Sequence, residues 1–217
     1  MRHSRRWRVS CAAGHRMRAS TTSNGFKFHL SSMCRGHLTS VNSQLIDVLK
    51  NTIRDVPNFP KPGIVFKDVT PVLLDVKLFG QAVEAMAKPY RDARITRVVS
   101  IESRGFLFGA PIALELGAGL VPIRKPGKLP AARQRVEYAL EYGTDALEMH
   151  HDAVQPGDRV LIVDDVLATG GTANAAAQLV AGTGAAVTGF TFLIELDFLK
   201  GRQRLQGRRA EALLHYA

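Results

Sequence analysis

Apolar residues begin to recur in a regular pattern at about residue 43. From 44 to about 55 they return at helical spacing and Ser43 is placed to cap the start, which predicts a first helix ending near Asp55. The next segment, VPNFPKPG, carries three prolines, which exclude a regular helix and favour an extended connector. A short apolar run, 64–66, follows this connector.

Further along the chain, helical periodicity alternates with short, continuously apolar runs. Strands that alternate with helices at this spacing predict an α/β fold. Its mostly parallel sheet is flanked by helices on both faces, and its binding crevice lies at the carboxyl ends of the strands. The predicted helices are Leu78–Tyr90, Phe106–Leu116 and Ala173–Val180, and the predicted strands are Ile95–Ile101, Leu120–Ile123, Val160–Val163 and Val187–Ile194.

The longest apolar stretch, Gly105–Ile123, has about the length of a membrane span. Glu115 and the Gly117-Ala118-Gly119 break divide it into a helix and a strand. We therefore expect no membrane partner.

Charge is distributed unevenly over the 217 residues. The net charge is +10, but residues 1–42 hold eight Arg and Lys and no acid, which leaves +2 for the rest. This front segment is rich in Arg and Ser and lacks apolar periodicity, so we expect it to be disordered in isolation and to lie outside a single domain, 43–217. Three interpretations stay open: an organellar transit peptide, an upstream translation start, or a basic nucleic-acid-binding arm.

A nucleic-acid partner is not expected, because 20–43 offers no pair of apolar-periodic helices for a helix-turn-helix. Both cysteines, Cys11 and Cys34, lie in the front segment, so the domain cannot depend on an internal disulfide. A reducing, cytoplasmic setting fits best, or an organelle if 1–42 is a transit peptide.

The segment VLIVDDVLATGGT, Val160–Thr172, carries the strongest chemical signal. A buried strand is followed by two aspartates and then by a glycine-containing helix start, where free amides and the helix dipole attract a phosphate. Adjacent carboxylates repel each other unless a partner such as sugar hydroxyls accepts their charge. The alternative is an ordinary turn, and the spacing fits neither Walker A nor GxGxxG. The candidate ribose-phosphate residues are Asp164, Asp165, Ala168, Thr169, Gly170, Gly171 and Thr172.

This segment resembles the phosphoribosyl diphosphate signature of the type I phosphoribosyltransferases. Four further segments, FPKPGIVFKD, ESRGFLFG, IRKPGKLP and EYALEYG, resemble the adenine phosphoribosyltransferases within that family. The resemblance implies transfer of a 5-phosphoribosyl group from phosphoribosyl diphosphate to adenine, giving AMP and diphosphate. It also implies a small hood, a mobile flap, a homodimer, and magnesium (Mg2+) bridged by substrate without a direct protein ligand.

The resemblance also assigns residues to the diphosphate. Arg104 supplies a permanently charged fork at a helix start. The segment 124–136, which has no apolar periodicity, predicts a mobile basic flap that closes over the substrate. A surface arginine and a solvated basic loop are the alternatives. The diphosphate candidates are Ser103, Arg104, Gly105, Arg124, Lys125, Lys128 and Tyr142, with Glu102 in the same loop, and the catalytic candidates are Arg104, Lys128 and Glu141 as the general base.

Adenine is assigned to Val65, Phe66, Lys67 and Leu196. Relatives often carry Arg at the position of Lys67, a change that is tolerated if the contact is mainly backbone. Leu196 could equally be an ordinary core residue, and Glu141 a solvated one. Two other functions stay open: a transferase acting on another purine, and a nucleotide-sensing regulator built on the same fold.

Overall fold

The computed structural model describes residues 43–139 and 144–217. Helix α1 covers 43–52 and begins at Ser43, as predicted. The prediction that it reaches Asp55 is wrong, because strand β1 (Arg54–Pro57) pairs antiparallel with β2 (Val65–Asp68). The proline-rich segment is thus the loop of a hairpin, and pairing across that loop draws the end of the predicted helix into a strand.

Among the described residues, seven more strands follow the first hairpin. They are β3 (Arg97–Ile101), β4 (Gly119–Ile123), β5 (Arg133–Ala139), β6 (Thr144–His150), β7 (Arg159–Leu167), β8 (Ala186–Leu196) and β9 (Ala210–Tyr216). Five of them form a parallel sheet in the order β4-β3-β7-β8-β9, so the predicted α/β fold with a mostly parallel sheet is confirmed. Strand β9, at the edge, was not predicted.

In the part of the chain that the structure describes, four helices follow α1, namely α2 (Thr70–Leu74), α3 (Val76–Ala87), α4 (Gly105–Leu116) and α5 (Gly171–Ala181). Asp75 caps α3 by accepting hydrogen bonds from the amides of Lys77 and Leu78 at 2.9 and 3.0 Å. The predicted end at Tyr90 is wrong, because Pro89 lies in a 3-10 segment, Lys88–Ala93, that follows the helix.

The core consists of two apolar clusters, one on each face of the sheet. Along β7, Leu161 and Val163 pack with residues of α3 and α4, while Val160 and Ile162 pack with residues of α5. Burial on both faces explains why this strand is continuously apolar instead of alternating. The same strand continues beyond Val163 into Asp164 and Asp165, where the site begins.

The apolar stretch 105–123 divides into α4 and β4, as predicted. Within 43–139 and 144–217, no helix has both the length and the apolar character needed to span a bilayer.

Strands β5 and β6 form a separate antiparallel hairpin that lies beside α5 and β4. Strand β5 begins at Arg133, within the segment 124–136 predicted to be a flap, and Arg124 itself makes an antiparallel bridge to Glu148. The pairing joins residues far apart in sequence, which a local apolar pattern does not reveal.

Candidate active site

The candidate site lies where β7 loses one of its neighbours. Strand β3 pairs with β7 as far as Val163, whereas β8 continues to pair through Asp164 to Leu167. The prediction that the strand stops before the aspartates is therefore wrong, because hydrogen bonding to β8 extends it by four residues. Beyond Val163, the first turn of α4 takes the place of β3.

The first turn of α4 lies unusually close to the aspartates. A Cβ on Gly105 would lie 2.8 Å from Asp164 Oδ1 and 3.1 Å from the carbonyl oxygen of Val163. Only glycine allows this approach without a shift of the backbone. Gly105 thus brings the positive end of α4 against Asp164, so that the predicted diphosphate loop and ribose loop adjoin.

The two aspartates differ in their surroundings. Burial raises the pKa of Asp164 well above its usual value, and the charge of Asp165 raises it further. Burial also raises the pKa of Asp165, although Arg104 opposes this effect. The amide of Asp165 donates a hydrogen bond to Asp164 Oδ1 at 2.9 Å. The pair therefore favours a bound group that donates hydrogen bonds or carries positive charge.

Arg104 connects the aspartates with the first hairpin. Its Nε lies 2.9 Å from Asp165 Oδ2, an ion pair without an aligned hydrogen bond, and its guanidinium lies 4.7 Å from the ring centroid of Phe66. Its Nη1 is buried and has no hydrogen-bond partner among the described residues. Arg104, itself a predicted diphosphate residue, therefore contacts Asp165 of the predicted ribose-phosphate site and Phe66 of the predicted adenine site. Its Nη1 is left as a hydrogen-bond donor for a ligand.

The loop before α5 is held by contact between backbones. Gly170 has φ +78° and precedes Gly171, the first residue of α5. A Cβ on Gly170 would lie 2.3 Å from the carbonyl oxygen of Gly201. At the helix start, Thr172 Oγ1 donates to the Tyr138 hydroxyl at 3.4 Å. The predicted phosphate loop thus has both a close-packed floor and a contact with the second hairpin.

Glu102 accepts hydrogen bonds from three neighbouring basic residues of the flap. Its carboxylate accepts hydrogen bonds from Arg124 Nε and Nη2, each at 3.3 Å, from the Lys125 amide at 2.8 Å and from Lys128 Nζ at 2.5 Å. Burial alone would raise the pKa of Glu102, but these bonds lower it to about 2. Glu102 is therefore an anion that holds Arg124 and Lys128 at the mouth of the crevice.

Lys125 lies apart from the other two flap cations. Its Nζ pairs closely with Asp145 and donates to the Tyr138 hydroxyl at 3.1 Å. Burial would lower the pKa of Lys125, but the hydrogen bonds to Asp145 and Tyr138 outweigh burial and raise it. The predicted basic cluster is thus divided between Glu102 and the second hairpin.

Of the residues predicted to bind adenine, Phe66 contacts Arg104, the ion-pair partner of Asp165. Its ring packs edge-on against Phe59, with centroids 5.2 Å apart, and faces Arg104. Lys67 is turned away, with Nζ 2.6 Å from Asp55 Oδ1. Val65 is half exposed, and Leu196 ends β8, half-buried against the core.

The remaining candidates are placed in part. Ser103 is exposed, and the Glu102–Ser103 peptide bond is cis. Ala168 and Thr169 are half-buried in the loop before α5. Glu141 and Tyr142 lie outside the described residues, so their predicted roles stay predictions.

Sequence reasoning missed Tyr138 and Asp145. The two are direct partners across the second hairpin, and the Tyr138 hydroxyl donates to Asp145 Oδ2 at 3.1 Å. The short alternation of apolar and polar residues at 136–138 and 147–150 is the signal that could have found the strands. Their pairing with Lys125 required the tertiary structure.

Comparisons with known proteins decide the family. The Phosphoribosyl transferase domain family matches residues 72–208. The adenine phosphoribosyltransferase of Myxococcus xanthus is 57% identical over 175 residues, covering 81% of this chain and 95% of that protein. The corresponding protein of Anaeromyxobacter dehalogenans (strain 2CP-C) is 55% identical over 172 residues, covering 79% of this chain and all of that protein. The chain belongs to the adenine phosphoribosyltransferase family.

Solved structures of this family share the fold. The adenine phosphoribosyltransferase of Rhodothermus marinus has a TM-score of 0.78 and 52% identity, covering 80% of this chain and 99% of that one. The Saccharomyces cerevisiae enzyme, solved in complex with adenine and an imino-altritol bisphosphate, has a TM-score of 0.76 and 41% identity, covering 79% of this chain and 99% of that one. Family membership thus extends over the described sheet and its site.

Proposed function

We propose that this chain transfers the 5-phosphoribosyl group of phosphoribosyl diphosphate to adenine, forming AMP and diphosphate. The observation that carries the proposal is the position of Arg104, which contacts Asp165 on one side and Phe66 on the other. A ribose bound at the aspartates and a purine bound at the hairpin would thus lie next to each other. The yeast relative solved with adenine supports the same choice of base.

The ribose phosphate is assigned to the segment that begins at Asp164. The two aspartates would accept hydrogen bonds from the ribose hydroxyls, which satisfies the carboxylates of half-buried Asp164 and buried Asp165 without an added cation. The 5-phosphate would lie at the start of α5, where the helix dipole favours an anion. The amides and hydroxyls that serve it belong to Ala168, Thr169, Gly170, Gly171 and Thr172.

The diphosphate is assigned to the start of α4 and to the flap. The unused Nη1 of Arg104 and the amides at Ser103 and Gly105 would bind it from one side, and Arg124, Lys125 and Lys128 from the other. Because Arg124 and Lys128 are held by Glu102, the diphosphate would share them with that carboxylate. Tyr142 is proposed to join this group.

Magnesium fits this crevice as a cation carried by the substrate. Mg2+ prefers oxygen ligands and keeps several waters, and Asp164 and Asp165 offer carboxylate oxygens to such waters next to the proposed ribose hydroxyls. When bound, it would neutralise charge on the departing diphosphate. A direct protein ligand is not required.

The chain's own residues would act mainly by position and charge. Arg104 and Lys128 stabilise the negative charge that develops on the leaving diphosphate, while Phe66 and Leu196 hold the purine in line with the sugar. Glu141 is proposed to take the proton that the purine loses. Closure of the flap excludes water, which would otherwise intercept the activated ribose.

We further propose that the transferase domain is 43–217, that it forms a homodimer, and that it works in the cytoplasm without nucleic acid. The coverage supports the domain boundary, because the relatives match about four fifths of this chain but nearly all of their own length. Mass spectrometry of the native protein would report its start site. Light scattering of the same sample would report its oligomeric state.

The proposed activity is tested by competition between bases. Purified protein with magnesium and phosphoribosyl diphosphate should convert labelled adenine to AMP, with hypoxanthine and guanine as poor competitors. Omission of magnesium and the Arg104→Gln variant are the controls, and the variant should lose about 100-fold or more in kcat/KM. Strong incorporation of hypoxanthine with none of adenine would overturn the assignment.

A further inference from the structure

The first hairpin is not part of the central sheet. Strands β1 and β2 form a two-stranded sheet of their own, and such a ribbon is marginally stable without packing against other elements. Lys67 supplies one of its ties. Its side chain is only 15% exposed, and Nζ lies 4.1 Å from the ring centroid of Tyr216 as well as 2.6 Å from Asp55 Oδ1. A lysine so enclosed between an aromatic face and a carboxylate is held in one position.

Tyr216 is the last residue of β9, the edge strand of the central sheet. Its partner in register on β8 is Leu196, and both pack half-buried against the same core cluster. Leu196 and the hairpin are the two segments to which adenine was assigned. Tyr216 therefore adjoins both sides of the proposed base pocket, although it comes from neither.

The alternation of side chains along β2 links the contact between Lys67 and Tyr216 to the position of Phe66 in the proposed adenine pocket. Neighbouring residues of a strand point to opposite faces, so Lys67 points to Tyr216 while Phe66 points to Arg104 and Phe59. Holding Lys67 on one face thus sets the position of Phe66 on the other.

We propose that Tyr216 is a positioning residue that sets the distance between the hairpin and the end of β8, and thereby the affinity for adenine. The inference rests on the proposed function, because it takes adenine to lie between Phe66 and Leu196. Tyr216 acts through Lys67 and through its strand partner, without touching the base. Substitution of Tyr216 should therefore change KM for adenine and leave KM for phosphoribosyl diphosphate unchanged.

The test replaces the ring and keeps the apolar bulk. Tyr216→Leu should raise KM for adenine roughly three- to ten-fold, the range that loss of one partly buried cation–π contact predicts. KM for phosphoribosyl diphosphate and kcat should stay within about two-fold, because the ribose and diphosphate residues belong to other elements. Tyr216→Phe keeps the ring that Lys67 contacts and should restore KM for adenine.

A second lysine provides a matched control. Lys50 Nζ lies 5.6 Å from the centroid of the same ring, but Lys50 belongs to α1 instead of the hairpin. Lys50→Met should leave KM for adenine unchanged, whereas Lys67→Met should raise it. In the double variant Tyr216→Leu/Lys67→Met, the two increases should not multiply, since both remove one contact.

Turnover by the unsubstituted protein is measured first, and a protein that fails to use adenine overturns the proposed function and with it this inference. If adenine is used, an unchanged KM for adenine in folded Tyr216→Leu overturns the inference alone. A parallel rise in both KM values with a fall in thermal stability also overturns it, because it indicates a general structural role. If Tyr216→Leu does not fold, KM for adenine is compared between Lys67→Met and Lys50→Met. A rise in Lys67→Met alone supports the inference, and equal values overturn it.

Discussion

The ribose-phosphate loop and the two hairpins are attached to the molecule by different kinds of contact. The loop continues from β7, the middle strand of the sheet, and Gly170 meets Gly201 backbone against backbone. The hairpins are separate two-stranded sheets. Side-chain contacts attach the first one, between Lys67 and Tyr216 and between Phe66 and Arg104, whereas the second packs Leu147 and Met149 into the core and is joined to the flap by the Lys125–Asp145 ion pair. A close-packed backbone tolerates almost no change, whereas ion pairs with partial exposure can be weakened stepwise. Substitutions in the loop should therefore abolish activity, whereas substitutions at the polar side-chain contacts of the hairpins should lower it stepwise.

The largest effect is expected from Gly170→Ala. The new Cβ would meet the Gly201 carbonyl oxygen at 2.3 Å, and the residue would keep φ +78°, so the loop must shift. Displacement of the phosphate site by about 1 Å should cost roughly 100-fold in kcat/KM. Gly157→Ala is the matched control, since Gly157 has φ +93° but nothing within 4 Å of its added Cβ. Equal losses in the two variants would show that backbone strain, and not the contact with Gly201, explains the effect.

An intermediate effect is expected from Glu102→Gln, which leaves Arg124 and Lys128 without an anionic partner. We expect about 2 kcal/mol lower stability and roughly ten-fold lower kcat/KM for phosphoribosyl diphosphate. The pKa of Glu102 is about 2 in the folded protein, against an ordinary value of 4.5. A lowered pKa stabilises the fold above the ordinary value, and this contribution is lost as pH falls towards the folded pKa.

The stability difference between Glu102→Gln and the unsubstituted protein should therefore be constant above pH 4.5 and shrink as pH falls towards about 2. Urea unfolding of both proteins across this range measures it. Glu84→Gln is the control, because Glu84 is 63% exposed and its contact with Arg91 is 3.4 Å long. A difference that grows on acidification would contradict the assigned role of Glu102.

The smallest effect is expected from Tyr138→Phe. The change removes the hydroxyl that links Lys125, Asp145 and Thr172 but keeps the ring. Loss of about 1 kcal/mol of hydrogen bonding should lower kcat/KM roughly five-fold. Arg135→Gln, which breaks an exposed pair on the same strand, should leave it unchanged. If both variants behave alike, the contact between the second hairpin and α5 does not contribute to turnover.

Prediction from sequence succeeded where a local pattern is sufficient. The strand core Val160–Val163, the start of α5 and the division of 105–123 into helix and strand were all foreseen, because burial on both faces gives continuous apolar runs. It failed where pairing joins distant segments. The end of α1, strand β9 and the hairpin of β5 and β6 depend on partners that the local sequence does not identify.

In the candidate site too, the features set by local sequence could be predicted, and the contacts between distant segments could not. By itself the sequence determined that two aspartates and a glycine-rich helix start follow a buried strand, since strand burial and helix capping are local properties. Only the tertiary structure decided that Arg104 contacts both Asp165 and Phe66. It also decided that the side chains of Arg124 and Lys128, but not that of Lys125, pair with Glu102. The contact between Tyr216 and Lys67 was likewise visible only in the structure. These contacts join residues from separate strands, helices and hairpins. A long side chain has several possible partners in the sequence, and which of them it contacts depends on how the folded backbone places them.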